Sequence, residues 1–196
     1  MRGARIFAAV LAAIWLSPCV ACAHLVSTRF GDFYGGMLHP LTALEHVLPM
    51  VALGLLAGLQ DPRVARWLLL AAPAGLACGL ALALVAPNLT VIPVLNRGSF
   101  VLLGVLVALG VRLPTAALVT IAGVFGLTHG YENGLSLGES IQMHLFALGV
   151  VAVGFVGWAL ITATTISLVR RAGWMRIAVR AAGSWVAAIG LMVLAV

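Results

Sequence analysis

Five histidines (His24, His39, His46, His129 and His144) stand beside only five carboxylates in 196 residues. Two of the histidines share the stretch Leu38-His39-Pro40-Leu41-Thr42-Ala43-Leu44-Glu45-His46. On one continuous helix, residues seven apart lie two turns from each other on one face, about 10 Å along the axis. Thr42 and Met50 fall on that same stripe, while Glu45 points about 100° away from His46. An ionisable residue inside an apolar span costs a few kcal/mol and normally marks an ion path or a buried pair. Glu45 and His46 together are therefore hard to read as ordinary packing, whereas His39 alone could be an interfacial histidine.

The second stretch is Thr128-His129-Gly130-Tyr131-Glu132-Asn133-Gly134. A histidine and a carboxylate three residues apart can both reach one cation, and the glycines would allow a tight turn. The competing reading is a polar extracellular loop. His144 follows Gln142 near the start of an apolar segment, where it is either a further ligand or a core histidine satisfied by a neighbouring helix. Imidazole and carboxylate without thiolate suit nickel, cobalt, zinc or copper better than alkali or alkaline-earth ions, which want more oxygens.

Stepping from these side chains to the segments that carry them, the chain is 63% hydrophobic and 8% charged. So few charges cannot cover that much apolar surface in water. Apolar runs of about 20 residues recur throughout, the signature of membrane-spanning helices rather than of a barrel's alternating strands. The expected fold is an all-α polytopic bundle, with helices near 39–59, 66–86, 91–111, 114–130, 140–168 and 176–196. Pro93 and Asn96-Arg97-Gly98 are expected to interrupt the start of the third.

At the amino terminus, Arg2 and Arg5 precede the apolar run Ile6 to Leu16, followed by Pro18 and Ala21-Cys22-Ala23. This is the pattern of a secretory signal peptide over residues 1–23, with 24–196 as one six-helix transmembrane domain. A retained anchor helix is the alternative. Cleavage after Ala23 would make His24 the first residue, whose amine and imidazole could chelate copper or nickel together. Cys19 and Cys22 would leave with the signal, and Cys78 would remain as a small packing residue, so no disulfide framework is expected.

The net charge of +6 is carried entirely by arginine. Arg63, Arg66, Arg112, Arg170, Arg171 and Arg176 fall in alternate gaps that a cleaved signal places inside the cell, as the positive-inside rule requires. Both termini of the mature chain would then be periplasmic, in a bacterial inner membrane, with every histidine at or near the outer face. No basic cluster with interleaved aromatics suggests nucleic acid. Ser99, Ser136, Ser140 and Ser184 sit in no nucleophile motif, there is no phosphate-binding glycine loop, and His-Glu-x-x-His is absent, so no enzyme is expected.

The stretch Gly36 to Met50, with Gly54 and the later His129-Gly130, resembles the HupE/UreJ family of nickel permeases. That family shows His-Pro-x-x-Gly-x-Asp-His-x-x-x-Met on its first mature helix, a later His-Gly, and a histidine on the following helix. The resemblance implies that His39, Glu45 and His46 form an access or coordination group, with His129 and Glu132 matching the second motif and His144 the third. Glu45 stands where the pattern has aspartate and Ala43 where it has glycine. The third helix begins with Asn96-Arg97 where many members are expected to carry a carboxylate. The resemblance implies a secondary permease for nickel, or next cobalt. The alternative is an accessory protein that binds copper through His24 without transport. The expected partners are the lipid bilayer and the metal ion, with a homo-oligomer also allowed.

Overall fold

A computed structural model describes residues 23–137 and 141–195, with side chains from residue 31 onward. The expected signal segment, the side chain of His24 and the residue Glu139 lie outside that description. Every regular element among the described residues is helical: α1 (Ala23–Thr42), α2 (Leu44–Gly58), α3 (Pro62–Ala65), α4 (Leu68–Val85), α5 (Val91–Leu109), α6 (Thr115–Leu135), α7 (Met143–Arg171) and α8 (Gly173–Leu194).

Three extensive pairings build the bundle: α4 on α6, α5 on α8, and α1 on α7. Small residues permit them. A Cβ at Gly79 of α4 would strike the Leu127 carbonyl, and one at Gly130 of α6 would strike the Leu76 carbonyl. Such contacts let backbones approach closely where lipid offers no hydrophobic drive for association. The short α2 runs through the middle, against α7, α5, α1 and α8. It is buried nearly all round, from His46 and Pro49 to Ala57 and Gly58. Trp158 Nε1 of α7 donates to the Met50 carbonyl at 3.2 Å, and Thr162 Oγ1 donates to the Gly54 carbonyl at 3.3 Å, fixing α2 against α7.

The long helices turn apolar side chains outward and carry several polar ones within. Leu70, Leu102, Phe155, Leu160, Trp185 and Met192 are exposed, whereas His46, Gln60, Asn96, Thr128, His129 and Asn133 are buried. Water would not tolerate that surface, but a bilayer does. Four spans are long and apolar enough to cross: Pro62–Val85, Val91–Leu109, Met143–Arg171 and Gly173–Leu194. A fifth arises if Gly31–Thr42 and Leu44–Gly58, bent by 80°, count as one. The helix α6 is not among them, because its last turns carry His129, Tyr131, Glu132 and Asn133.

Several expectations need correction. The first expected helix, 39–59, breaks at Ala43, whose φ of −111° and ψ of 119° are extended. Pro40 lacks the N–H that would bond one turn back, which weakens the helix ahead of the break. The third helix is not interrupted: Pro93 sits in the first turn of α5, where a missing N–H costs little. Gly130 and Gly134 make no tight turn. Helix α6 continues to Leu135, and both glycines serve its packing on α4. Cys78 faces outward on α4 rather than into the packing.

Candidate metal centre

The break at Ala43 gives α2 a fresh amino terminus directly beside the last turn of α1. His39 and His46 therefore meet across a corner instead of along one helix, with ring centroids 6.1 Å apart. Phe146 of α7 lies against His39 at 5.6 Å. His46, in the first turn of α2, points inward and meets His129 from α6, Nδ1 to Nδ1 at 3.4 Å. Glu132 follows His129 by nearly one turn, so its carboxylate reaches the same place. Donor atoms of His46, His129 and Glu132 all lie within 4.8 Å of one another. Two nitrogens bound to one ion at 2.0–2.1 Å with a tetrahedral angle are about 3.3 Å apart, close to the spacing seen here.

Both ring nitrogens of His129 are committed. Ser99 Oγ of α5 donates to the Asn96 carbonyl at 2.7 Å and lies 3.2 Å from His129 Nε2. Since the serine proton goes to the carbonyl, its oxygen accepts from Nε2–H, and the Nδ1 lone pair is turned toward His46. Phe125 stacks on the His129 ring at 4.1 Å and fixes its plane. Asn133 Nδ2 donates to the His129 carbonyl at 2.7 Å. Ser136 repeats the serine arrangement at the corner: its Oγ donates to the Asn133 carbonyl at 2.7 Å and lies 3.0 Å from His39 Nε2.

A cavity of about 310 Å³ opens onto this group. Its walls include His39, Glu45, His46, Asn96, Arg97 and Glu132. His129 is 3% exposed and touches the wall residue His46 without itself lining the cavity. Glu45 is exposed at the wall, and Glu132 is half-buried. The cavity thus runs from an acidic and basic rim to paired imidazoles.

The HupE / UreJ protein family model matches residues 11–193. The chain belongs to the HupE/UreJ family. Protein HupE of Rhizobium leguminosarum bv. viciae is 29% identical over 160 residues, covering 74% of this chain and 82% of that protein. No solved structure matches the chain.

Of the residues that the HupE/UreJ pattern singles out in this chain, the structure brings together His39, Glu45, His46, His129 and Glu132. His144 stands apart, exposed in a separate apolar groove with Ala77, Leu80, Leu84 and Leu148. Sequence reasoning met Asn96 only as a departure from the family pattern and gave Ser99 and Ser136 no role, yet all three hold or face the group. The signal for the first two was present: an asparagine and a serine three apart share one face of a helix whose one other strongly polar residue is Arg97.

Proposed function

We propose that this protein is a secondary permease that moves a divalent transition-metal ion, nickel first and cobalt next, inward across a bacterial inner membrane. The observation that carries the reading is the convergence of His46, His129 and Glu132 within 4.8 Å beside an open cavity that His46 and Glu132 line. Two neutral imidazoles and one carboxylate form a borderline donor set, which favours nickel, cobalt, zinc or copper over calcium or magnesium. Family membership favours metal handling in the membrane and supports the same choice.

In this reading the ion enters from the periplasm past Glu45 and His39, loses water stepwise, and reaches His46, His129 and Glu132. His129 offers its Nδ1 lone pair because Ser99 accepts the proton on the other nitrogen. Inward movement of a doubly charged ion gains about 4.6 kcal/mol at a potential of 100 mV, so no nucleotide is needed. Uptake is tested in liposomes containing the purified protein, with labelled nickel, cobalt, copper and zinc, for the wild type and His46→Ala. Flux of nickel that depends on His46 is expected. Binding without flux would replace the permease by a metal-holding accessory protein, and no binding at all would end both readings.

A further inference from the structure

We infer that Asn96 supplies a fourth protein ligand, its amide oxygen, to the ion held by His46, His129 and Glu132. The inference rests on the metal-carrier reading of that site. Asn96 projects from α5 and is 4% exposed. Its Nδ2 donates to the Thr128 carbonyl at 3.1 Å. That bond fixes which end of the amide is nitrogen, since a carbonyl can only accept. The remaining atom, Oδ1, is buried and has no hydrogen-bond partner among the described residues. An orphaned buried acceptor costs about 1–3 kcal/mol, so a ligand that reached this atom would be stabilised by it.

The position identifies that partner. Asn96 lines the same cavity as His46 and Glu132. Its amide engages the Glu132 side chain as well as the Thr128 carbonyl, on either side of His129 in the sequence of α6. One turn along α5, Ser99 holds the far nitrogen of His129. The amide therefore flanks the donor group rather than standing beyond it. Asn133 provides the contrast: its Oδ1 is equally orphaned, yet Asn133 is not part of the cavity wall. Amide oxygen is an ordinary metal ligand, and three donors leave a divalent transition ion short of four-coordination.

The neutrality of this ligand has a consequence. Two imidazoles, one carboxylate and one amide leave a divalent ion with a net charge of about +1, held firmly enough to enter and weakly enough to leave.

The test uses the full chain purified in detergent, titrated with Co²⁺ and with Ni²⁺, reading affinity and the Co²⁺ ligand-field spectrum. For Asn96→Ala and Asn96→Leu we expect affinity to fall more than about tenfold, with a changed Co²⁺ spectrum. Asn96→Asp separates ligation from scaffolding. It keeps the oxygen but loses the N–H₂ bond to Thr128, so a ligand role predicts binding at least as tight as wild type. A purely structural role predicts that Asn96→Asp fails together with Asn96→Ala. That outcome, or an unchanged affinity and spectrum in Asn96→Ala, overturns the proposal. His129→Ala reports separately on the underlying reading. If it binds Co²⁺ as the wild type does, the site itself is wrong, whatever Asn96 does.

Discussion

The two ends of α2 treat buried polar groups in opposite ways. Just past its carboxyl end, buried Gln60 has a partner for each of its side-chain polar atoms. Its Nε2 donates to the Leu56 carbonyl at 2.9 Å and the Val111 carbonyl at 3.0 Å, while Oε1 accepts from the Leu113 amide at 2.8 Å. At its amino end, about 20 Å away by helix rise, the polar groups face one another and one acceptor is left over. His46 and His129 have only each other's Nδ1 to share one proton with at 3.4 Å, and Asn96 Oδ1 has no partner among the described residues. A satisfied network ties a loop to the bundle. An incomplete one, in a low-dielectric interior, is costly unless something is meant to complete it. The same physical rule thus separates a structural clamp from a candidate ligand site.

Exchanging the two ends by mutation should break the comparison most sharply. His129→Ala is expected to remove measurable Ni²⁺ binding while the protein stays folded. Gln60→Ala, by contrast, should keep wild-type affinity but lose about 2 kcal/mol of stability, because it orphans the Val111 carbonyl and the Leu113 amide. Calorimetric titration together with thermal melts in detergent checks both. If Gln60→Ala also lost the metal, the two ends would not be independent.

Acid should act on the histidine end alone. A protonated imidazole has no lone pair to give, so affinity is expected to fall steeply below the ordinary histidine pKa of about 6.5. Isothermal titration from pH 7.5 down to about 4.5 follows the fall, and affinity that held across that whole range would argue against imidazole ligands.

A smaller effect should follow from Ser99→Ala. The His129 ring would lose the acceptor that holds the proton on Nε2, and affinity should weaken by about tenfold. Ser99→Thr, which keeps the hydroxyl, should recover most of it. The smallest expected change belongs to His144→Ala: this side chain lies in a separate groove, so Ni²⁺ affinity should stay within about twofold of wild type, in keeping with surface substitutions remote from a site. A large loss there would place His144 on the ion's route after all.

The family's first motif was legible because histidine and carboxylate are expensive in an apolar segment, and so conspicuous. Its geometry was not. Read as one helix, His39 and His46 would be about 10 Å apart along an axis; a single extended residue, Ala43, turns them across a corner instead. His129 and Glu132 were visible as a pair, but the neighbouring glycines suggested a turn, since a sequence does not reveal which helix a glycine will lie against. In the fold they are the contact surface with α4.

The sequence by itself determined the class of the molecule. Hydrophobic runs with almost no charge can satisfy their backbone in lipid only as helices, and local composition is enough to dictate that. It also determined the donor types, which limit the ions that could be held. The tertiary structure alone decided which donors meet. His46 and His129 are 83 residues apart, and Ser99 and Asn96 come from yet another helix. Their convergence depends on close packing between helices and on the corner at Ala43. Both are sums of many weak long-range contacts that no local pattern records.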